Sequence, residues 1–150
     1  MSAVVAGDML TPNSTDRTLS ALDVKGVLNA FTIWNAALAT KDAAKVNALY
    51  MPQAVLLPTL SDDVRCTTRD RLDYFNFFLP KGPQGVINSY DIRRGHSDLT
   101  GAPDQVTNSG VYTFTFDDGS TARARYSFSY IKVNGQFMIM HQHSSLMPEV

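Results

Sequence analysis

The sequence predicts an α+β domain, with helices gathered in its first half and an antiparallel meander in its second. Three observations carry that expectation. Apolar residues from Val24 to Leu38 recur at helical spacing. From Val86 onward the pattern changes to that of strands. Two turn signals, Asp117-Asp118-Gly119-Ser120 and Val133-Asn134-Gly135-Gln136, then divide the second half, because Asp-Gly and Asn-Gly suit type I′ hairpin turns.

Residues 1–19 are polar, rich in Ser and Thr and without periodicity, so they are expected to form a flexible arm, with residues 20–150 as a single domain. Ser20 is the expected N-cap of the first helix, with Asp23 three residues on. Val24, Val27, Leu28, Phe31, Trp34 and Leu38 form its apolar stripe, which ends near Thr40. Asp42 can cap a short second helix carrying Val46 and Leu49, which Pro52 stops. Ala54–Leu57 is a short apolar stretch closed by Pro58. Thr68 is the expected cap of a third helix, with Leu72, Phe75 and Phe78/Leu79 as its buried stripe, ended by Pro80-Lys81-Gly82-Pro83. Val86–Arg94, Val106–Phe116, Thr121–Val133 and Gln136–Ser145 read as strands.

The composition excludes several classes of function. The chain of 150 residues is 44% hydrophobic and 18% charged, which suits one domain with a real core. A net charge of −1 supplies no field for nucleic acid or an acidic membrane surface. The single Cys66 can form neither an internal disulfide nor a zinc knuckle. No apolar run approaches the ~20 residues of a membrane span. Met1–Asp8 lacks a basic segment, so a cytoplasmic protein without a signal peptide is expected. Every acidic residue except Glu149 is an aspartate, so carboxylate acid–base chemistry would fall to an Asp.

If both hairpins have two-residue loops, Arg123 stands opposite Phe114, Arg125 opposite Tyr112 and Ser144, and Ser127 opposite Gln142. One face then carries Tyr112, Phe114, Arg123, Arg125, Ser127, Gln142 and Ser144. The other carries Tyr126, Phe128, Tyr130, Ile139, His141 and His143. A single bulge would exchange the faces beyond it. Three helices cover one face of such a sheet, so a second subunit is expected on the other. The face with two arginines among aromatics is the better candidate for a ligand cavity.

His141 and His143 point the same way along a strand and could chelate a metal with His96 or an Asp, but no third ligand is marked by spacing, and no metal or cofactor is expected. Cys66 or Ser144 as a nucleophile is equally unanchored. Arg65, Arg69 and Arg71, set among aspartates, read as a mixed-charge surface.

An ordered series of segments carries a family resemblance: Trp34-Asn-Ala-Ala-Leu38 with Lys41-Asp42, Val46-Asn-Ala-Leu-Tyr50, Ala54-Val-Leu-Leu-Pro-Thr59, Tyr74-Phe75 with Phe78-Leu79, Ala124-Arg-Tyr-Ser-Phe128 with Tyr130, and His141-Gln-His-Ser-Ser145 with Met147-Pro148. Over residues 20–148 the chain resembles bacterial proteins similar to the association (hub) domain of calcium/calmodulin-dependent protein kinase II, of the nuclear transport factor 2-like superfamily. The resemblance implies a cone, in which a curved antiparallel sheet wraps a long N-terminal helix and two shorter ones. It also implies self-association through the sheet, as a homodimer or larger homo-oligomer. No kinase or calmodulin-binding segment is in the sequence, so kinase activity is not expected. In the hub, arginines and a histidine line a cavity that can hold a small carboxylate. By the resemblance, Arg125 keeps one such arginine, Arg71 stands where the hub has its histidine, and Phe114 and Ser144 replace two arginines.

Two functions follow as expectations. The first is a non-catalytic association module whose cavity takes a small, partly apolar molecule, an anion among the candidates. Arg125 would supply the charge, Tyr112 and Phe114 the walls, Trp34 or Tyr74 the lid, with Arg71 and Ser144 completing the lining. The alternative is an isomerase, dehydratase or cyclase of the ketosteroid-isomerase-like type, with His141 or His143 as base and Tyr126 or Arg125 as hydrogen-bond donor. The absence of an Asp from the expected cavity strands favours binding over catalysis.

Overall fold

The computed structural model describes residues 12–15, 19–95 and 105–149. In chain order the elements are β1 (Pro12–Thr15), α1 (Ala21–Ala39), α2 (Ala43–Asn47), β2 (Tyr50–Leu57), α3 (Thr68–Phe78), a 3-10 turn (Leu79–Lys81), β3 (Gln84–Arg94), β4 (Gln105–Thr115), β5 (Thr121–Val133) and β6 (Gln136–Leu146). The strands form one sheet in the order β1-β3-β4-β5-β6-β2. The meander β3–β6 is antiparallel, and each edge is closed by a parallel strand from the N-terminal half. Within the stretch expected as an arm, Pro12–Thr15 form a short strand beside β3, with Pro12 opposite Tyr90 and Thr15 opposite Ile92; residues 1–11 and 16–18 lie outside the described residues.

The helix caps form as their residues dictate. Ser20 Oγ accepts from Asp23 N at 3.0 Å and starts α1. At α3 the cap is Thr67, whose Oγ1 accepts from Asp70 N at 3.1 Å. Along α1, Val27, Phe31, Trp34 and Leu38 are buried against the sheet. Each contributes roughly 1.5–3 kcal/mol relative to exposure. Trp34 meets Phe128 edge-on at 5.3 Å between ring centroids. Buried Asn35 ties the helix to β3, its Oδ1 accepting from Gly85 N at 2.8 Å.

The register departs from the expected one in two places. Phe116 and Ser120 close a three-residue loop, with Gly119 N–H donating to Phe116 O and Gly119 at φ +83°. That extra residue pairs Tyr112 with Ala124 and Val111 with Arg125. The second hairpin does have the two-residue Asn134-Gly135 loop, but a bulge follows between the pairs Tyr130↔Ile139 and Ser129↔His141. The faces are therefore regrouped. Tyr112, Phe114, Tyr126, Phe128, Tyr130, Ile139, Gln142 and Ser144 are all buried. They share the inner face with the helices. Arg123, Arg125, Ser127, His141 and His143 share the outer face, with Arg125 and His143 exposed. At Gly110 a Cβ would lie 1.9 Å from Ser89 O, so only glycine lets β4 approach the bulge in β3.

Candidate functional site

The inner face and helices enclose a cavity lined by Trp34 of α1, Leu56 of β2, Pro58 and Thr59 beyond it, Tyr74, Phe75 and Phe78 of α3, Tyr112 and Phe114 of β4, and Gln142 and Ser144 of β6. Two hydrogen-bonded chains join its lining residues. Trp34 Nε1–H donates to Tyr50 Oη at 3.1 Å, and Tyr50 donates to Gln142 Oε1. Tyr112 Oη–H donates to Ser144 Oγ at 2.6 Å, and Ser144 shares a further hydrogen bond with Thr59 Oγ1 at 2.5 Å.

No charged side chain lines this cavity. Burial pushes the pKa of Tyr50, Tyr74 and Tyr112 up, while hydrogen bonds with Trp34, the Leu60 backbone and Ser144 respectively pull the other way. The phenols therefore stay neutral at physiological pH. The enclosed volume is about 20 Å³, the space of roughly one water. Such an arrangement can orient a water or a small neutral group, but it has no anchor for an anion and no group poised to take a proton near neutral pH.

Five of the expected ligand-binding residues, Trp34, Tyr74, Tyr112, Phe114 and Ser144, do converge on the cavity. Two do not. The three-residue loop turns Arg125 to the outer face, where it is exposed. Arg71 is fully buried, which corrects its reading both as part of a mixed-charge surface and as a cavity residue. Its Nε donates to Asn47 Oδ1 at 2.8 Å, Nη1 to Ala54 O at 2.8 Å and Nη2 to Pro52 O at 3.1 Å. The guanidinium thus clamps α3 to α2 and β2, and burial lowers its pKa from the ordinary value.

The residues of the catalytic alternative are also separated. Tyr126 lies inside and donates to Asn108 Oδ1 at 3.0 Å, whereas His141 and His143 lie outside, beside Val55 and Leu57 of β2. His96, the third histidine, is outside the described residues. Among the described residues no three His, Cys, Asp or Glu side chains form a metal-binding group.

With this geometry in hand, comparison with known proteins decides the family. Residues 23–148 match the family model of the calcium/calmodulin dependent protein kinase II association domain. The chain belongs to that association-domain family. A solved structure from Xanthomonas campestris, assigned to the same domain, is 43% identical, with 88% of this chain and 91% of that one covered and a TM-score of 0.75. An NTF2-like protein of unknown function from Pseudomonas putida shares the fold at 12% identity, with 88% and 92% covered and a TM-score of 0.70. A Streptomyces avermitilis member of the NTF2-like family, assigned as a dehydratase, shares it at 14% identity, with 87% and 100% covered and a TM-score of 0.61. Among curated proteins no significant match is found.

In this association domain, sequence reasoning missed Thr59 as a member of the site and Tyr50 as the link between two of its lining residues, Trp34 and Gln142. Tyr50 begins β2 rather than ending a helix, and its hydroxyl becomes the link between Trp34 and Gln142. Thr59 follows Pro58, which ends the strand. Exposed Pro52 and a register shift between Tyr50 and Val55 separate Tyr50 from the alternating Ala54 and Leu56, so no period-two pattern marks it in the sequence.

Proposed function

We propose that this association domain is a non-catalytic, homo-oligomerising module whose subunits meet through the outer face of the sheet. The division of labour between the two faces carries the reading. Both α1 and α3 pack on the inner face, where the cavity has no charge and water-sized room. The outer face carries Val55, Leu57, Val111 and Ile131, all half-buried, beside a ladder of hydroxyls. Thr107 and Ser129 share a hydrogen bond at 2.8 Å, as do Ser109 and Ser127 at 2.9 Å. Hydroxyls already paired with one another can be removed from water at little cost, which suits an interface.

The inner cavity then serves as a hydrogen-bonded part of the core. A neutral guest of water size is what its shape admits. The ketosteroid-isomerase-like alternative finds no support, because its imidazoles stand on the opposite face from its phenol. We place the module in the cytoplasm, where the exposed Cys66 stays a thiol. No described helix is long and apolar enough to cross a membrane.

Size-exclusion chromatography with light scattering and native mass spectrometry of the full chain test the proposal. A defined multimer is expected, and Val111→Arg should yield a smaller species with an unchanged far-ultraviolet circular dichroism spectrum. A monomer at micromolar concentration would overturn it.

A further inference from the structure

Resting on the reading that subunits meet through the outer face, we infer that this contact is pH-sensitive and opens when His141 and His143 take up protons. Register places both imidazoles between the hydroxyl ladder and the apolar residues of β2. Ser109, Ser127, His143 and Leu57 stand in line across β4, β5, β6 and β2. Thr107, Ser129, His141 and Val55 form the next line. Pairing runs without a shift from His141 to His143, so both side chains leave the strand on one side. His143 is exposed and His141 half-buried.

Their surroundings offer nothing to compensate a positive charge. On the β5 side stand Ser127 and Ser129, whose hydroxyls are already bonded to those of Ser109 and Thr107. The nearest charged residue along β5 is the exposed Arg125, with Arg123 beyond it. On the β2 side stand Val55 and Leu57, and the segment bridged to β2 beyond them brings Arg65 with its partner Asp63, opposite the inward Leu56. The one carboxylate on the described strands is Asp91 of β3, which Arg93 holds at 3.2 Å. A contact made by one face with its own copy receives every added charge twice. Protonation therefore adds two cations to each of two faces that already hold Arg123 and Arg125 in excess of the Asp91–Arg93 pair. The assembled state takes up fewer protons than separate subunits, so association weakens as pH falls through the range where imidazole ordinarily titrates.

Sedimentation velocity of the full chain, over dilution series at pH 7.5 and pH 5.5, reads the effect as the ratio of two dissociation constants. An imidazole that a contact keeps neutral raises the constant about tenfold one pH unit below the ordinary histidine value. Two on each subunit of a dimer set a ceiling of roughly ten-thousandfold. A rise of more than about tenfold is expected, with the far-ultraviolet circular dichroism spectrum unchanged. Combining His141→Gln with His143→Gln keeps polar side chains that do not titrate and should bring the ratio close to one. Because the readout is a ratio, a variant that weakens assembly alike at both pH values still reports. If the double variant does not assemble, each single variant should retain about half of the response on a logarithmic scale. A rise below about tenfold, or one that the variants leave unchanged, would overturn the inference while the association reading stands. So would dissociation that accompanies unfolding, or loss of assembly at both pH values in both single variants. A monomer at pH 7.5 would overturn the association reading itself.

Discussion

The Tyr112 hydroxyl reaches Ser144 Oγ, on β6, across the whole width of β5. The contact depends on what stands between them. Tyr112 is paired with Ala124, whose single methyl lets the ring lean over the strand, and it stacks on Tyr126 with centroids 4.8 Å apart. Removing either end has unequal consequences. Ser144→Ala strips a partner from a buried phenol and should cost roughly 1–3 kcal/mol. Tyr112→Phe removes the donor together with its need for a partner, and Ser144 keeps Thr59, so the cost should stay below about 1.5 kcal/mol. The double variant should lose less than the sum. Urea unfolding of the three proteins measures this, and strict additivity would refute the coupling.

Arg71 makes the second prediction. Arg71→Met keeps the apolar stem but leaves Pro52 O, Ala54 O and Asn47 without their donors. A loss of roughly 2–4 kcal/mol is expected. Arg71→Lys keeps a charge without the planar fork and should fall between the two. Thermal unfolding distinguishes them, and a neutral Arg71→Met would show that the guanidinium is no clamp.

The third concerns alkaline pH. Burial raises the pKa of Tyr50, Tyr74, Tyr112, Tyr126 and Tyr130 above the ordinary value of 10.0. The folded state therefore holds its phenolic protons more tightly than the unfolded chain. Their contribution to stability is complete below the unfolded pKa, about 10, and is lost as pH rises beyond it. Tyrosinate absorbance should accordingly appear in step with loss of the near-ultraviolet circular dichroism signal. Titration of these phenols within an intact fold would contradict the expectation.

The fold was largely legible because caps, stripes and turns are local. Ser20 with Asp23 marks the start of α1, and Asn134-Gly135 gives the second hairpin its two-residue loop. The site was half legible. Membership of Trp34, Tyr74, Tyr112, Phe114 and Ser144 survives because they are large or small groups on faces that the helices must cover. The placement of Arg125 does not survive, since Asp118-Gly119 suits a two-residue or a three-residue loop and the choice reverses every side chain beyond it. The bulge beside Met140 leaves no mark in the sequence, because methionine fits either face. Arg71 reads as surface because charge density in α3 says nothing of the carbonyls that α2 and β2 bring to it.

The parallel edges of the sheet bear on the order in which the chain becomes structured. Hairpins within β3–β6 join neighbours in sequence and need close only short loops. Val55 must instead find His141, and Pro12 must find Tyr90, each across more than half of the chain. Loop closure of that length is an entropic cost met before any contact offsets it. During synthesis β2 has the single bridge from Leu56 to Arg65 but no neighbouring strand until β6 has emerged, so the first half of the molecule waits for the second. The link from Trp34 through Tyr50 to Gln142 is then a late event, and it closes only when the last strand is in place.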